Sequence, residues 1–170
     1  AMFAPFAIIG LVILCYYQLF ISKKLGVSMT GVEVLNGRCI MDLFDIRKDP
    51  ASLKLASCLP NDSIIALKLI FFPLYLSYKL TGKNSLYPFP PKPGNEGLKD
   101  IITVRTHFID QLIQKHIKQV EQFVFLGAGY DTRSLEMLRN ENVAIFELDQ
   151  INTQSLKQGA IRKANIDCGH

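Results

Sequence analysis

The sequence predicts an α/β fold with a parallel, doubly wound sheet, preceded by a helical N-terminal region that includes a transmembrane helix. Two observations predict the sheet. The apolar run "QFVFLG" leads over a glycine loop into the helical pattern "RSLEMLRNE", and a second strand pattern, "VAIFELD", follows it. This strand–helix–strand order indicates a βαβ unit, as in Rossmann-like sheets. The third observation is that Met2–Ile21 carries no charged side chain over 20 residues.

Composition sets broad limits on function. The chain has 170 residues, 49% of them apolar, and a net charge of +4 that is scattered among acids. This charge pattern does not predict a nucleic-acid partner. The four cysteines lie far apart without a C-x-x-C pair, and the three histidines lack metal-site spacing. We therefore expect free thiols, no metal site and no disulfide framework.

Residues 2–22 are predicted to form a transmembrane anchor. A 20-residue helix is about 30 Å long, which matches the hydrocarbon core of a bilayer. Lys23 and Lys24 follow the apolar run and no basic residue precedes it. The positive-inside tendency then predicts a single-pass protein with the remainder of the chain in the cytosol. A cleaved signal peptide and a buried core helix remain alternatives.

Residues 23–97 are predicted to form a helical cap or linker region. Asp42, Asp45 and Asp49 recur among apolar residues, which indicates the solvated face of a surface helix. Residues 63–80 are apolar but interrupted by Lys68 and Pro73, so we expect an interfacial or substrate-cap helix kinked at the proline. Residues 81–97 hold four prolines and three glycines and predict an extended connector.

Residues 98–170 contain the candidate site. A helical stripe begins at Leu98, and the glycine loop follows the first strand. Gly127 and Gly129 permit positive φ angles and a close approach of a ligand, and Asp131 or Thr132 could cap the helix after the loop. Carboxylates at the end of the second strand, 20 and 22 residues after Gly127, are placed to bind ribose hydroxyls.

The loop favours a nucleoside cofactor without phosphates. A dinucleotide fingerprint has a third glycine where this chain has Thr132, and Asp131 adds negative charge where a pyrophosphate would approach. Both features disfavour a nicotinamide-dependent oxidoreductase. S-adenosylmethionine has a ribose but no phosphate, and it satisfies the same pattern.

The segment "FVFLGAGYDTRSL…FELDQ", preceded by "VRTHFID", resembles the leucine carboxyl methyltransferase family of class I S-adenosylmethionine-dependent methyltransferases. The resemblance covers about residues 97 to 158 and departs at Val104 and Ile151, where members have alanine and proline. It implies that Arg105 grips the methionine carboxylate of the cofactor and that Asp149 binds its ribose, supported by Glu147. The remaining cofactor-binding residues that it implies are Gly127, Ala128, Gly129, Asp131, Thr132 and Arg133.

The resemblance also implies an activity, namely methyl transfer to oxygen on a protein carboxyl terminus or a small molecule. A carboxylate acceptor needs no general base, and no catalytic residue is identified. Members have a seven-stranded sheet, so we expect this chain to hold only the first βαβ unit, as an N-terminal half or a degenerate form. The alternative is a non-catalytic, membrane-tethered remnant or assembly protein.

Overall fold

The structure, a computed structural model, describes residues 4–84, 94, 97 and 100–168. Over these residues the chain forms an α/β fold with seven α-helices and two parallel strands. The elements are α1 (Ala4–Tyr16), α2 (Ser22–Leu25), α3 (Met29–Leu43), α4 (Pro50–Cys58), α5 (Ile64–Thr81), α6 (Ile101–His116), β1 (Gln122–Leu126), β2 (Ala144–Leu148) and α7 (Ile151–Lys163).

The first helix is continuous with the second. A π-helical turn, Tyr17–Ile21, joins α1 to α2, so Ala4–Leu25 forms 22 residues of helix, within which an 18-residue stretch has a mean hydropathy of 2.1. The predicted helix at residues 63–80 is α5, which runs through Pro73 and has a mean hydropathy of 1.5. By length and composition alone, both helices could cross a membrane.

The helical region has its own apolar core. Buried side chains of α3 and α4 pack against one face of α5 and against α7, and the cluster also includes Tyr130 of the glycine loop. Its fully buried members include Val32, Leu35, Cys39 and Leu55. The aromatic ring of Tyr130 therefore fixes the loop to the helices that precede it in the sequence. The predicted connector at 81–97 lies mostly outside the described residues.

The environment of Asp49 differs from the one that the sequence predicts. Its side chain is fully buried, whereas the sequence predicts a solvated helix face. Asp49 is the N-cap of α4: its Oδ1 accepts a hydrogen bond of 3.2 Å from the Ser52 N–H, and Pro50 takes the first helical position. Asp45 is exposed, as predicted.

The two strands pair in parallel, as the sequence predicts, in the register Gln122↔Ala144 to Leu126↔Leu148. One face of this pair packs on a second core cluster formed by Ile113, Ile117, Leu138 and Val143. The predicted helix over "RSLEMLRNE" is wrong, because the segment between the strands forms a succession of turns. Its amides donate at mixed spacings, from Leu135 and Glu136 to Thr132 O and from Leu138 to Arg133 O, so no helical ladder develops.

Candidate functional site

The glycine loop lies across the carboxyl end of β2. The amides of Gly127 and Ala128 both donate to the Leu148 carbonyl, at 2.8 and 3.1 Å. Gly127 and Gly129 have φ angles of +66° and +52°, which L side chains rarely adopt. Among the described residues, no atom lies within 4 Å of the position that a Cβ of Gly127 would occupy. The backbone at Gly127 is therefore open to a ligand.

Asp149 ties the loop to the strand that follows it. Its Oδ2 accepts from the Gly129 N–H at 2.6 Å, and its Oδ1 accepts from the Gln150 N–H at 2.6 Å. A carboxylate oxygen has two lone pairs, so each of these oxygens can accept one more hydrogen bond. The half-buried carboxylate could thus hold the loop and still accept hydrogen bonds from two hydroxyls.

A cavity of about 370 Å³ opens beside the loop. Its walls come from α3, α6, the glycine loop and the start of α7. Seven of the nine predicted site residues line it, namely Arg105, Gly127, Ala128, Gly129, Asp131, Arg133 and Asp149. Arg105 is exposed on α6. The fold thus brings a guanidinium, an open glycine backbone and a carboxylate to one cavity.

The cavity is joined to the body of the protein by a closed circuit of charged side chains, here called the arginine–aspartate ring. Its members are Arg38, Asp131, Arg133, Asp110, Arg47 and Asp49, with Thr132 closing the circuit. Five segments contribute: α3, the loop after it, the N-cap of α4, α6 and the glycine loop. Three arginines balance three aspartates, so the ring carries no net charge.

The contacts of Asp131 show how tightly the ring holds the glycine loop. Arg38 donates to both carboxylate oxygens of Asp131, at 2.8 and 2.6 Å. Arg133 adds a 2.6 Å bond from its guanidinium and a 2.8 Å bond from its backbone N–H. Burial alone would raise the pKa of Asp131, but these two guanidiniums outweigh it and hold the pKa well below its usual range.

Arg133 continues the ring to α6. Its Nε donates to Asp110 at 2.6 Å and its Nη2 donates to the Thr106 carbonyl at 3.1 Å. Arg47 donates to the other oxygen of Asp110 at 2.6 Å and also binds Asp49. Planar guanidiniums suit such paired contacts with carboxylates. The side chains of the Asp-Thr-Arg segment therefore hold the loop against the helices.

Two predicted site residues do not line the cavity. Thr132 is fully buried, where its hydroxyl donates to Asp49 at 2.7 Å and accepts from Arg38 at 3.2 Å. Glu147 accepts two hydrogen bonds from the buried Lys157, at 2.8 and 2.7 Å, and one from Ser134 at 2.6 Å. Both residues contact the structure around the loop rather than the cavity.

The sequence interpretation missed Arg38, Arg47 and Asp110. Arg38 and Asp131 are 93 residues apart, Arg47 and Asp110 are 63 apart, and Asp110 and Arg133 are 23 apart. Among the contacts of the three missed residues, the Arg47–Asp49 pair is the local one. The sequence does mark the start of α4, because an acid followed by proline, here Asp49–Pro50, often begins a helix.

Comparison with known proteins identifies a family and relatives for this chain. The family model for leucine carboxyl methyltransferase matches residues 81–169, more than half of the 170 residues. A Streptomyces avermitilis protein named "Putative S-adenosyl-L-methionine-dependent methyltransferase" is 33% identical over 86 residues, which cover 46% of this chain and 30% of that protein. A Streptomyces coelicolor protein with the same description is 31% identical over 97 residues, covering 52% and 34%.

The chain spans about a third of the length of these relatives. No solved structure matches it. The family match includes α6, the glycine loop and the carboxylate at the end of β2 that line the cavity. The chain belongs to the leucine carboxyl methyltransferase family.

Proposed function

We propose that this chain contributes the cofactor site of an S-adenosylmethionine-dependent O-methyltransferase that acts on a carboxylate, at a protein carboxyl terminus or on a small molecule. The observation that carries the proposal is the cavity where Arg105, the positive-φ glycine loop and Asp149 meet. Family membership and the names of the two Streptomyces relatives support it. We also propose that residues 98–170 hold the cofactor and that residues 23–97 form a helical cap.

The size of the cavity and the charged side chains on its wall support this cofactor. Ligand pockets enclose about 300–1,000 Å³, and this cavity encloses about 370 Å³. The Arg105 guanidinium would bind the cofactor carboxylate, the backbone of Gly127, Ala128 and Gly129 would line its methionine chain, and Asp149 would accept from the ribose hydroxyls. Glu147 would act indirectly, by holding Ser134 and Lys157 behind the loop.

The structure weakens one of the two sequence features that disfavour a dinucleotide. The charge of Asp131 is balanced by Arg38 and Arg133, so it repels a pyrophosphate less than the sequence suggests. The conformation of the segment after the loop also disfavours a dinucleotide. Dinucleotide loops present a helix N-terminus to the pyrophosphate, and the segment after this loop forms turns. The cavity therefore still favours a ligand without phosphates.

In the proposed methyl transfer, these residues bind and orient the cofactor. The cofactor supplies a methyl group already activated by a sulfonium. Arg105, the glycine backbone and Asp149 would fix the orientation of the bound cofactor, which lowers the entropic cost of in-line transfer. A carboxylate acceptor is deprotonated at neutral pH, so the chain need not supply a general base.

Calorimetry with S-adenosylmethionine tests the site. Asp149→Asn should weaken binding about 10- to 100-fold, because hydrogen bonds to a charged group contribute about 1.5–3 kcal/mol. Arg105→Gln should weaken it similarly, yet should leave the affinity for decarboxylated S-adenosylmethionine unchanged. Arg162→Gln, an exposed arginine on α7, is the matched control and should bind like wild type.

Three outcomes would contradict the proposal. The first is absence of binding by the wild-type chain, and the second is full-strength binding by both site variants. The third is binding of NADH in place of S-adenosylmethionine, which would support a nicotinamide-dependent enzyme. Membrane association of the chain without any binding of S-adenosylmethionine would favour the non-catalytic, membrane-tethered alternative.

We further propose that the helix Ala4–Leu25 attaches the protein to a membrane, with the cofactor site in the cytosol. Its length, the mean hydropathy of 2.1 of an 18-residue stretch within it and the two lysines at its end support attachment. Alkaline carbonate should leave the full chain with the membrane fraction and should release a variant that lacks residues 1–24. Release of the intact chain would contradict a helix that spans the membrane.

A further inference from the structure

The first helix packs closely along α5. A Cβ added to Gly10 would lie 2.6 Å from the Ala66 carbonyl oxygen and 3.0 Å from Ile70 Cγ1, so only glycine permits this approach. At the other end of the pair, the Asn61 side chain donates to the Ser22 hydroxyl at 3.1 Å. Residue 22 thus lies near residue 61, and residue 10 near residues 66–70. The two helices run antiparallel, side by side.

Another face of α5 packs on the protein core. Six of its side chains, spread from one end of the helix to the other, pack on the buried cluster of α3 and α4: Ile64, Leu67, Phe71, Leu74, Tyr75 and Tyr78. Phe44 contacts Tyr75 and Tyr78, with ring centroids 6.1 and 5.6 Å apart. If α5 crossed a bilayer, this core would lose its cover. Through α5, α1 is held along the body of the protein.

The outward faces of both helices are apolar and exposed. Val12 and Phe20 on the first helix are each 64% exposed, and Ile65 and Leu80 on α5 are 70% and 77% exposed. Because α1 is apolar on all sides, one side can pack on α5 while the other faces an apolar medium. Because the two helices are neighbours, these exposed side chains can form one continuous apolar surface.

Lysines within and beside this surface indicate its position relative to a bilayer. Lys68 is exposed between Ile65 and Phe72 on the outer stripe of α5, and Lys23 and Lys24 are exposed at the end of the first helix. A lysine in the middle of a spanning helix is costly, whereas at the bilayer interface its ammonium group can reach the headgroups. Basic residues beside an apolar face are typical of helices that lie in the plane of an anionic membrane.

We propose that α1 and α5 bind the membrane together, lying in the plane of the lipid interface, instead of α1 crossing it alone. This inference rests on the membrane attachment proposed above and changes its form. Both outer stripes contact the acyl chains at a shallow depth, and the lysines contact anionic headgroups. The cofactor cavity then lies close to the membrane surface, since Ser28 and Thr30 on its wall follow shortly after the end of α2.

Single tryptophans can test this arrangement, because the chain contains none. Val12→Trp, Phe20→Trp and Leu80→Trp report the two stripes, and Phe108→Trp on α6 is the exposed control. Each full-length variant is reconstituted in phosphatidylcholine–phosphatidylserine vesicles that contain lipids brominated near the headgroup or near the chain end. We expect the three stripe variants to be quenched more by the shallow bromines, with Val12→Trp and Phe20→Trp at equal depth, and the control to remain unquenched.

The other outcomes overturn the inference in distinguishable ways. A spanning helix would place Val12→Trp about 12 Å deeper than Phe20→Trp, because eight residues rise about 12 Å. Quenching of α1 probes without Leu80→Trp would show that α1 binds alone and would leave the proposed attachment intact. Absence of quenching in every variant would refute the attachment as well. Ile65→Trp repeats the α5 measurement, so the result does not depend on one variant folding.

Discussion

Asp131, Thr132 and Arg133 direct their side chains into the arginine–aspartate ring, while the backbone of the two preceding glycines faces the cavity. The side chains and the backbone of this loop therefore have different roles. Side chains that pair with one another hold the loop in place, whereas the glycine backbone at Gly127 carries no side chain and leaves room for a ligand beside it. The Asp-Thr-Arg segment therefore positions the cofactor loop.

Asp131→Asn tests the ring at its centre. The amide keeps the shape of the side chain but removes the charge that balances Arg38 and Arg133. Breaking one side of a buried ion pair costs about 3–5 kcal/mol, and we expect a loss of that size in the free energy of unfolding from urea titration. Arg139→Gln, which breaks the exposed pair with Asp167, should change it by less than about 1 kcal/mol. Equal effects would contradict a structural role for the ring.

At the scale of elements, the α1–α5 contact depends on Gly10. In most helix interiors, replacing glycine by alanine stabilises by about 0.5–1 kcal/mol. Gly159 in α7 is such a position, because no atom lies within 4 Å of an added Cβ among the described residues. Gly159→Ala should therefore stabilise the chain in detergent, whereas Gly10→Ala should destabilise it by about 1–3 kcal/mol because the helices must separate. Stabilisation by both substitutions would show that the close contact does not form.

Asp62, beside the N-terminus of α5, makes the stability of the fold depend on pH. Burial raises the pKa of Asp62 from 3.8 to about 6, against the hydrogen bonds that it accepts from Asn36 and the Ser63 N–H. Between these two pKa values the folded state binds more protons than the unfolded state, so the contribution of Asp62 to stability falls as pH rises from about 4 to 6. It then stays low at higher pH.

Asp62→Asn should remove that loss, because the amide remains neutral and keeps an acceptor oxygen. We expect the variant to gain stability over wild type at pH 7.5 and to gain little at pH 4, as measured by urea unfolding at both pH values. A gain of equal size at both pH values would show that the carboxylate does not titrate in this range.

The elements differ in how far local sequence determines them. The strands, the positive-φ glycines and α7 were predictable because period, glycine spacing and helix pattern act over a few residues. The helix expected after the loop does not form. Arg133 is held by Asp110 and Leu138 is buried in the second core cluster, so contacts with distant residues fix both parts of that segment. Burial of Asp49 was likewise unpredictable, since one of its partners, the buried Thr132, lies 83 residues away.

At the scale of the whole molecule, the cavity is a joint product of two parts of the sequence. The family match begins at residue 81, yet α3 supplies part of the cavity wall and Arg38 holds the glycine loop. Tyr130 is also packed in the core of the helical region. We therefore expect the helical region to be required for cofactor binding.

Amide hydrogen exchange of the full chain, with and without saturating S-adenosylmethionine, measures whether the helical region and the glycine loop bind the cofactor together. We expect slower exchange in α3 around residues 28–38, in the loop at 127–133 and at 149–153, all at the same cofactor concentration. Exchange that is unchanged by the cofactor, or protection of the loop without protection of α3, would contradict this expectation.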